Sequence, residues 1–65
     1  MTVFTILYWH EQAMEWRQTM EFMTSFENAK RRRKELREET MDHVSFRITQ
    51  VPIHEVPEAR LPVLR

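Results

Sequence analysis

Residues 2–10, TVFTILYWH, decide the fold, because β-branched and aromatic side chains fill most positions of this stretch. Such residues favour a β-strand, in which successive side chains point to opposite faces of the sheet. One face carries Phe4, Ile6 and Tyr8, and the other carries Val3, Thr5, Leu7 and Trp9. Because both faces are largely apolar, we predict that this strand lies in the centre of a sheet rather than at its edge.

Residues 11–23 allow two interpretations. With period two, residues 16–23 form a second strand that places Trp16, Gln18, Met20 and Phe22 on one face. With helical spacing, an apolar seam runs through Trp9, Ala13, Trp16, Met20 and Met23. The chain would then be a βαβ unit with a long or broken helix over residues 11–40. The absence of glycine disfavours two-residue hairpin turns, but we favour the hairpin because a helix start signal follows at Thr24.

Residues 25–40 are predicted to form one helix. Thr24 and Glu27 have the spacing of a capping box, in which the hydroxyl and the carboxylate each accept a hydrogen bond from a free backbone amide. A narrow stripe that can face the sheet holds Phe26, Ala29, Arg33, Leu36 and Thr40. Because the apolar part of this stripe is thin, the helix depends on docking for its stability.

Residues 43–51 alternate again, with Val44, Phe46 and Ile48 on one side, and predict a third strand. Pairing of this strand with the first gives a three-stranded antiparallel sheet in the order 2-1-3. The predicted fold class is therefore α+β, a single small ββαβ domain over residues 1–51 with one helix on one face. Prolines at positions 52, 57 and 62 exclude a continuous helix in residues 52–65, which we predict to form an extended C-terminal arm.

A chain of 65 residues buries only a small core, and without cysteine no disulfide or thiolate zinc site can add to its stability. One helix covers one sheet face, which leaves the second apolar face open. We therefore predict a homodimer or a larger protein partner that covers this face. The predicted interface consists of Val3, Leu7, Trp9, Val51, Val56 and Leu61.

Basic residues are concentrated in residues 30–37, although the net charge of the chain is zero. The alternative function is therefore a nucleic-acid-binding regulator that contacts phosphates through Lys30, Arg31, Arg32, Lys34 and Arg37. In a variant of this hypothesis, single-stranded RNA stacks on a sheet face that displays Trp9, Arg17 and Arg47. Acidic residues are interspersed along the same helix, so a solvated helix face is the better explanation of the basic run.

Sequence motifs for catalysis or cofactor binding are not recognised. The histidines His10, His43 and His54 have spacings that match no metal-binding motif, and the usual phosphate-binding loops need glycine. We expect a cytoplasmic protein that is not an enzyme and has no cofactor, metal, membrane contact or small-molecule substrate. The expected function is that of a small adaptor or inhibitor, of the kind that phages and mobile elements encode.

Overall fold

The computed structural model describes residues 1–40 and 44–60. Its elements are strand β1 (Thr2–His10), strand β2 (Glu15–Met23), helix α1 (Phe26–Glu39), strand β3 (Phe46–Pro52) and two single 3-10 turns (Ile53–Glu55 and Glu58–Arg60). The strands form one antiparallel sheet in the order β2-β1-β3. The predicted α+β fold and the central position of β1 are confirmed.

A four-residue turn, residues 11–14, joins β1 and β2 into a hairpin. The backbone N–H of Met14 donates to the Glu11 carbonyl at 3.2 Å, and the N–H of Ala13 donates to His10 Nδ1 at 3.0 Å. Met14 takes the left-handed conformation that favours glycine, with φ of 54°. The hairpin interpretation is therefore confirmed, and the alternative of a continuous helix through this segment is wrong.

The pairing of β1 with β2 contains a bulge. Thr5 pairs with Phe22 and Leu7 pairs with Gln18, so residues 19–21 of β2 lie opposite a single residue of β1. A bulge of this kind bends the strand and redirects its side chains. The side chains of β2 on either side of the bulge nevertheless stay on the same face as their partners in β1.

Two threonine hydroxyls hold this bulge. Thr5 Oγ1 donates to the Glu21 carbonyl at 2.8 Å, and Thr19 Oγ1 donates to the Ile6 carbonyl at 2.9 Å. Thr5 is fully buried, so its hydroxyl needs this partner. Met20 lies between the two bonds and has a φ of 63°. The chain thus builds a bulge without glycine by replacing ladder hydrogen bonds with bonds from side chains.

Helix α1 begins immediately after Ser25, which caps it. Ser25 Oγ accepts a hydrogen bond from the backbone N–H of Asn28 at 3.1 Å, the usual geometry of an N-cap. The predicted capping box of Thr24 and Glu27 is wrong, because the helix starts one residue later than that spacing requires.

The first sheet face packs against α1. The Phe26 ring meets Phe4 of β1 edge to face, with centroids 5.7 Å apart. Ala29 in the helix and Ile6 on the same face of β1 as Phe4 are both fully buried. Phe26 and Ala29 belong to the helical stripe that the sequence predicts, whereas the sequence does not decide which of the two apolar faces of β1 the helix covers. Within residues 1–40 and 44–60, no helix is long and apolar enough to cross a membrane.

The second sheet face is partly covered by the chain that follows β3. Residues 53–55 and 58–60 form 3-10 turns, so this part of the arm is not extended as the sequence predicts, and residues 61–65 of the predicted arm lie outside the described residues. Val56, between the two turns, is only 7% exposed, and Val3 on the second face of β1 is fully buried. Residues 53–60 of the arm are therefore folded back onto the sheet. The predicted boundary between a domain of residues 1–51 and an arm of residues 52–65 stays a prediction.

Strand β3 begins later than predicted. It runs from Phe46 to Pro52, whereas the prediction began at His43, which lies outside the described residues. The carbonyl of Ser45 accepts a hydrogen bond from the backbone N–H of Trp9 at 3.0 Å. Pairing with β1 therefore continues one residue beyond the regular strand.

Candidate interaction surface on the sheet

The second sheet face has two ends of different character. One end holds Val3 and lies under the arm. At the other end, Trp9 pairs across the hairpin with Trp16, and Leu7 pairs with Arg47 of β3. We call these four residues, Leu7, Trp9, Trp16 and Arg47, the aromatic end. Trp16 is 38% exposed and Arg47 is exposed, so this end of the face is accessible to solvent.

The two tryptophans form a fixed pair. Their ring centroids are 5.4 Å apart and the ring planes meet at 68°, an edge-to-face arrangement. Such a pair contributes roughly 0.5–1.5 kcal/mol beyond the burial of its area. Because Trp9 is half-buried and contacts Trp16, the exposed ring already has its orientation before any ligand arrives.

Arg47 adds a positive charge to this surface. Its Cζ atom lies 5.2 Å from the centroid of the Trp16 ring. A cation over an exposed indole gains about 0.5–1 kcal/mol. The aromatic end therefore combines a flat apolar surface with a guanidinium that can receive a carboxylate or a carbonyl oxygen.

A groove lies next to the aromatic end, between the arm and strand β2. Its volume is about 370 Å³. From β2 and β3 it is lined by Gln18, Met20, Phe22 and Val51, and from the arm by Glu55 and Pro57. Gln18 connects the two features, because it lines the groove and pairs with Leu7 of the aromatic end.

Arg17 does not belong to the aromatic end. It pairs with Tyr8, which places it on the same sheet face as the helix, and its Nε donates to Glu15 Oε1 at 2.9 Å. The predicted trio of Trp9, Arg17 and Arg47 on one face is therefore wrong for Arg17, because the register of the hairpin assigns it to the opposite face.

Two of the five basic residues proposed for phosphate binding form ion pairs with acidic side chains. Arg32 holds Glu21 with two bonds, Nε to Oε1 at 2.6 Å and Nη2 to Oε2 at 3.3 Å. Through this hydrogen bond above all, Glu21 raises the pKa of Arg32 above its ordinary value, so the guanidinium stays charged. Lys30 Nζ lies 3.4 Å from Glu27 Oε1 and 5.3 Å from the ring centroid of Phe26.

The Arg32 cluster also contains two helix carboxylates. Glu35 lies 3.4 Å and Glu39 lies 3.8 Å from Arg32 Nη1. The remaining basic residues of the proposed phosphate surface, Arg31, Lys34 and Arg37, are exposed. Nearby carboxylates lower the positive potential of the helix, since they lie within a Debye length of roughly 8–10 Å.

The predicted interface residues are divided between the interior and the surface. Val3 and Val56 are buried within the chain, and Val51 is half-buried beside the groove. Leu7 and Trp9 are half-buried in the aromatic end, and Leu61 lies outside the described residues. An interface formed by Val3 and Val56 would require the arm to leave the sheet.

The predicted interface does not include Trp16 and Arg47, which the structure places beside Trp9 and Leu7. The sequence could have indicated Trp16, since a hairpin can bring it opposite Trp9. This pairing occurs only when the turn between the strands has four residues. The position of Arg47 depends on the pairing of β1 with β3, which is a contact between distant segments.

No protein-family model, curated protein or solved structure matches this chain. Among the described residues, no group of three or more His, Asp or Glu side chains is arranged to hold a metal ion.

Proposed function

We propose that this chain is a small, non-enzymatic and cytoplasmic protein-interaction module that acts as an adaptor or inhibitor through its aromatic end. The observation that carries the proposal is the exposed Trp16 ring, which packs edge to face against Trp9 and has the Arg47 guanidinium over it at 5.2 Å. Tryptophan and arginine are the side chains most enriched among residues that dominate binding energy at protein interfaces.

The rigidity of the aromatic end supports this proposal. Association loses free energy when rotamer-rich side chains become ordered, at roughly 0.5–1.5 kcal/mol for each. Trp16 already packs against Trp9, and Arg47 already lies over Trp16. The side chains of Trp16 and Arg47 are therefore largely ordered by folding. Binding of a partner then loses less free energy to the ordering of these side chains.

Self-association is the simplest form of this function. Part of the second face needs no cover from outside, because Val3 and Val56 are already buried within the chain. Within the described part of the chain, the aromatic end and the groove beside it are the accessible parts of this face. A two-fold contact requires only one self-complementary patch, and the aromatic end of a second copy can provide it.

Sedimentation equilibrium tests the proposal. The natural chain should show a monomer–dimer equilibrium across a wide concentration range, and Trp16→Ser should shift it to monomer. Phe26→Leu is the matched control, because it removes an aromatic ring of 46% exposure on the helix side and keeps an apolar side chain against Phe4. A natural chain that stays monomeric throughout would refute self-association, and equal effects of the two variants would show that the aromatic end is not the contact.

Nucleic-acid binding remains a second candidate, because Arg31, Lys34 and Arg37 are exposed on α1. The pairing of Lys30 and Arg32 with acids makes it the weaker one. Retention on heparin and mobility shifts with duplex DNA, measured at several salt concentrations, test it directly. Binding that falls steeply with salt and disappears in the triple Glu variant of these exposed residues would favour it over the protein-interaction proposal.

A further inference from the structure

The two edge strands of the sheet, β2 and β3, differ in how they are protected. Unpaired backbone groups at a sheet edge can pair with another chain, and bulges, charged side chains or covering segments usually prevent this. Strand β2 contains the bulge at residues 19–21, and the second 3-10 turn of the arm packs against it. Strand β3 pairs with β1 without a bulge from Phe46 to Pro52. The edge formed by β3 is therefore the less protected one.

Hydrogen bonds at both ends of β3 show which of its backbone groups face β1. The Ser45 carbonyl accepts from the Trp9 N–H at 3.0 Å, and the Ile53 N–H donates to the Met1 carbonyl at 2.9 Å. Opposite residues of an antiparallel pair alternate between bonded and non-bonded pairs. The odd-numbered residues of β3 therefore direct their N–H and C=O groups towards β1.

The even-numbered residues Phe46, Ile48 and Gln50 direct the same groups away from the sheet. Among the described residues, these groups have no backbone partner, since β3 pairs only with β1. Pro52, the next even-numbered residue, has no N–H and ends the unpaired stretch. We call the outer side of residues 46–50 the open edge. Its alternating donors and acceptors are those that an added strand needs.

The only charged side chain of β3 does not cover the open edge. This side chain is Arg47, and its Cζ atom lies 5.2 Å from the ring centroid of Trp16 on β2. Because β1 lies between β2 and β3, the guanidinium extends across the sheet towards the opposite edge. A charge that could oppose strand addition is thus directed away from the open edge.

Phe46 and Ile48 indicate which side chains an added strand would carry. They pair with Tyr8 and Ile6 of β1, which places them on the face that α1 covers, and both are half-buried. An added strand places its own side chains beside them on this face. Apolar side chains there would complete the burial of Phe46 and Ile48, whereas the exposed Gln50 suits a polar neighbour.

We propose that the open edge binds an extended segment of a partner protein, which joins the sheet as an additional antiparallel strand. The segment carries apolar side chains opposite Phe46 and Ile48 and a polar side chain opposite Gln50. Its main chain supplies the hydrogen bonds, and its alternate side chains supply the selectivity. The inference goes beyond the proposed function, because it uses an edge of the sheet and not the aromatic end.

Amide hydrogen exchange of the full chain, with and without a peptide, tests the inference. The probe is acetyl-TTVEVT-amide, whose two valines would lie opposite Ile48 and Phe46. In the free chain, the amide protons of residues 47 and 49 should exchange slowly and those of residues 46, 48 and 50 rapidly. Saturating peptide should slow the second group by roughly tenfold or more. The indole N–H resonances of Trp9 and Trp16 should not shift.

Methylation of single peptide nitrogens separates strand addition from contact between side chains. In the antiparallel pairing, the N–H of the first valine faces the Ile48 carbonyl, whereas the N–H of the glutamate points away from β3. Methylation at the first valine should abolish the protection of the three amides. Methylation at the glutamate should leave it unchanged.

A substitution in the chain tests the same hydrogen bonds from the other side. Gln50→Pro removes an N–H that faces outwards and leaves the bonds between β3 and β1 in place, as is usual for proline in an edge strand. We expect this variant to bind the peptide at least several-fold more weakly. Gln50→Ala is the matched control, because it removes the same side chain and keeps the N–H.

Several outcomes would overturn the inference. Absence of slowing at millimolar peptide would remove it, and equal protection by the two methylated peptides would exclude strand addition. Indole shifts without protection of residues 46, 48 and 50 would assign the peptide to the aromatic end. Loss of a dimer in Gln50→Pro, but not in Gln50→Ala, would show that the open edge pairs with a second copy. A dimer that depends on Trp16, with no protection by the peptide, would overturn this inference alone and leave the proposed function in place.

Discussion

Substitution of Thr5 by valine should destabilise the fold, although the two side chains have nearly the same shape. Thr5 is fully buried, and its hydroxyl donates to the Glu21 carbonyl at 2.8 Å. Valine removes this donor and leaves the carbonyl unsatisfied, which costs about 1–3 kcal/mol. Burial of the added methyl group stabilises the variant by up to about 0.8 kcal/mol. We therefore expect the free energy of unfolding to fall by about 1–2 kcal/mol.

A loss of this size is easy to measure in a domain of 65 residues. It corresponds to a fall of Tm by about 5–15 °C, since each kcal/mol shifts a domain of this length by roughly 4–8 °C. Urea unfolding followed by tryptophan fluorescence and by circular dichroism gives the free energy directly. Thr49→Val is the matched control, because Thr49 pairs with Thr5 across the sheet and is half-buried.

The control should change stability by less than about 0.5 kcal/mol. A Thr5→Val variant that is as stable as the natural chain, or more stable, would refute the claim that a hydroxyl holds the bulge. A second variant, Thr19→Val, extends the test, because the Thr19 hydroxyl bonds the Ile6 carbonyl on the other side of the same bulge. If the two hydroxyls stabilise one structure, their effects should deviate from additivity by roughly 0.5 kcal/mol or more.

Three further substitutions test the turn, the helix cap and the arm. Met14→Gly should raise stability by about 0.5–1 kcal/mol in thermal melts, because Met14 has a φ of 54° and is 70% exposed, whereas Ala13→Gly should lower it. Ser25→Ala should lower the free energy of unfolding in urea by about 1 kcal/mol, and Thr24→Ala should lower it by clearly less. A larger effect of Thr24→Ala would instead support the predicted capping box. Val56→Ala should cost about 1–2 kcal/mol and speed proteolysis of the arm, and unchanged cleavage rates would show that the arm does not depend on this contact.

The central strand and the helix were predictable because their patterns are local and strong. Val3 and Ile6 point to opposite faces of β1 and are both fully buried, as a strand apolar on both faces requires. Helix α1 was placed to within one residue at each end, since Ala29 lies on the only apolar stripe and a capping residue precedes the helix. The position of the cap itself was missed, because Thr24 and Ser25 are equally able to accept the hydrogen bond.

The bulge and the folded arm were not predictable for a different reason. Met20 has a positive φ that no sequence rule assigns to methionine, and it is tolerated because the hydroxyls of Thr5 and Thr19 hold the strand around it. The prolines of the arm exclude a continuous helix, but they do not determine the position at which Val56 is buried. Both features depend on contacts between segments that are distant in the chain.

The folded arm changes the kind of association that the aromatic end can support. If the whole second face were open, burial of Val3 and Val56 by a second copy would stabilise a permanent dimer with an apolar core. Both residues are already buried within the chain, so a partner gains only the contact with the remaining end of the face. Interfaces of small area tend to be weak and transient, and rigid aromatic anchors then decide which partner is bound. We therefore propose that the chain acts as a module that exchanges partners and not as a subunit of an obligate assembly.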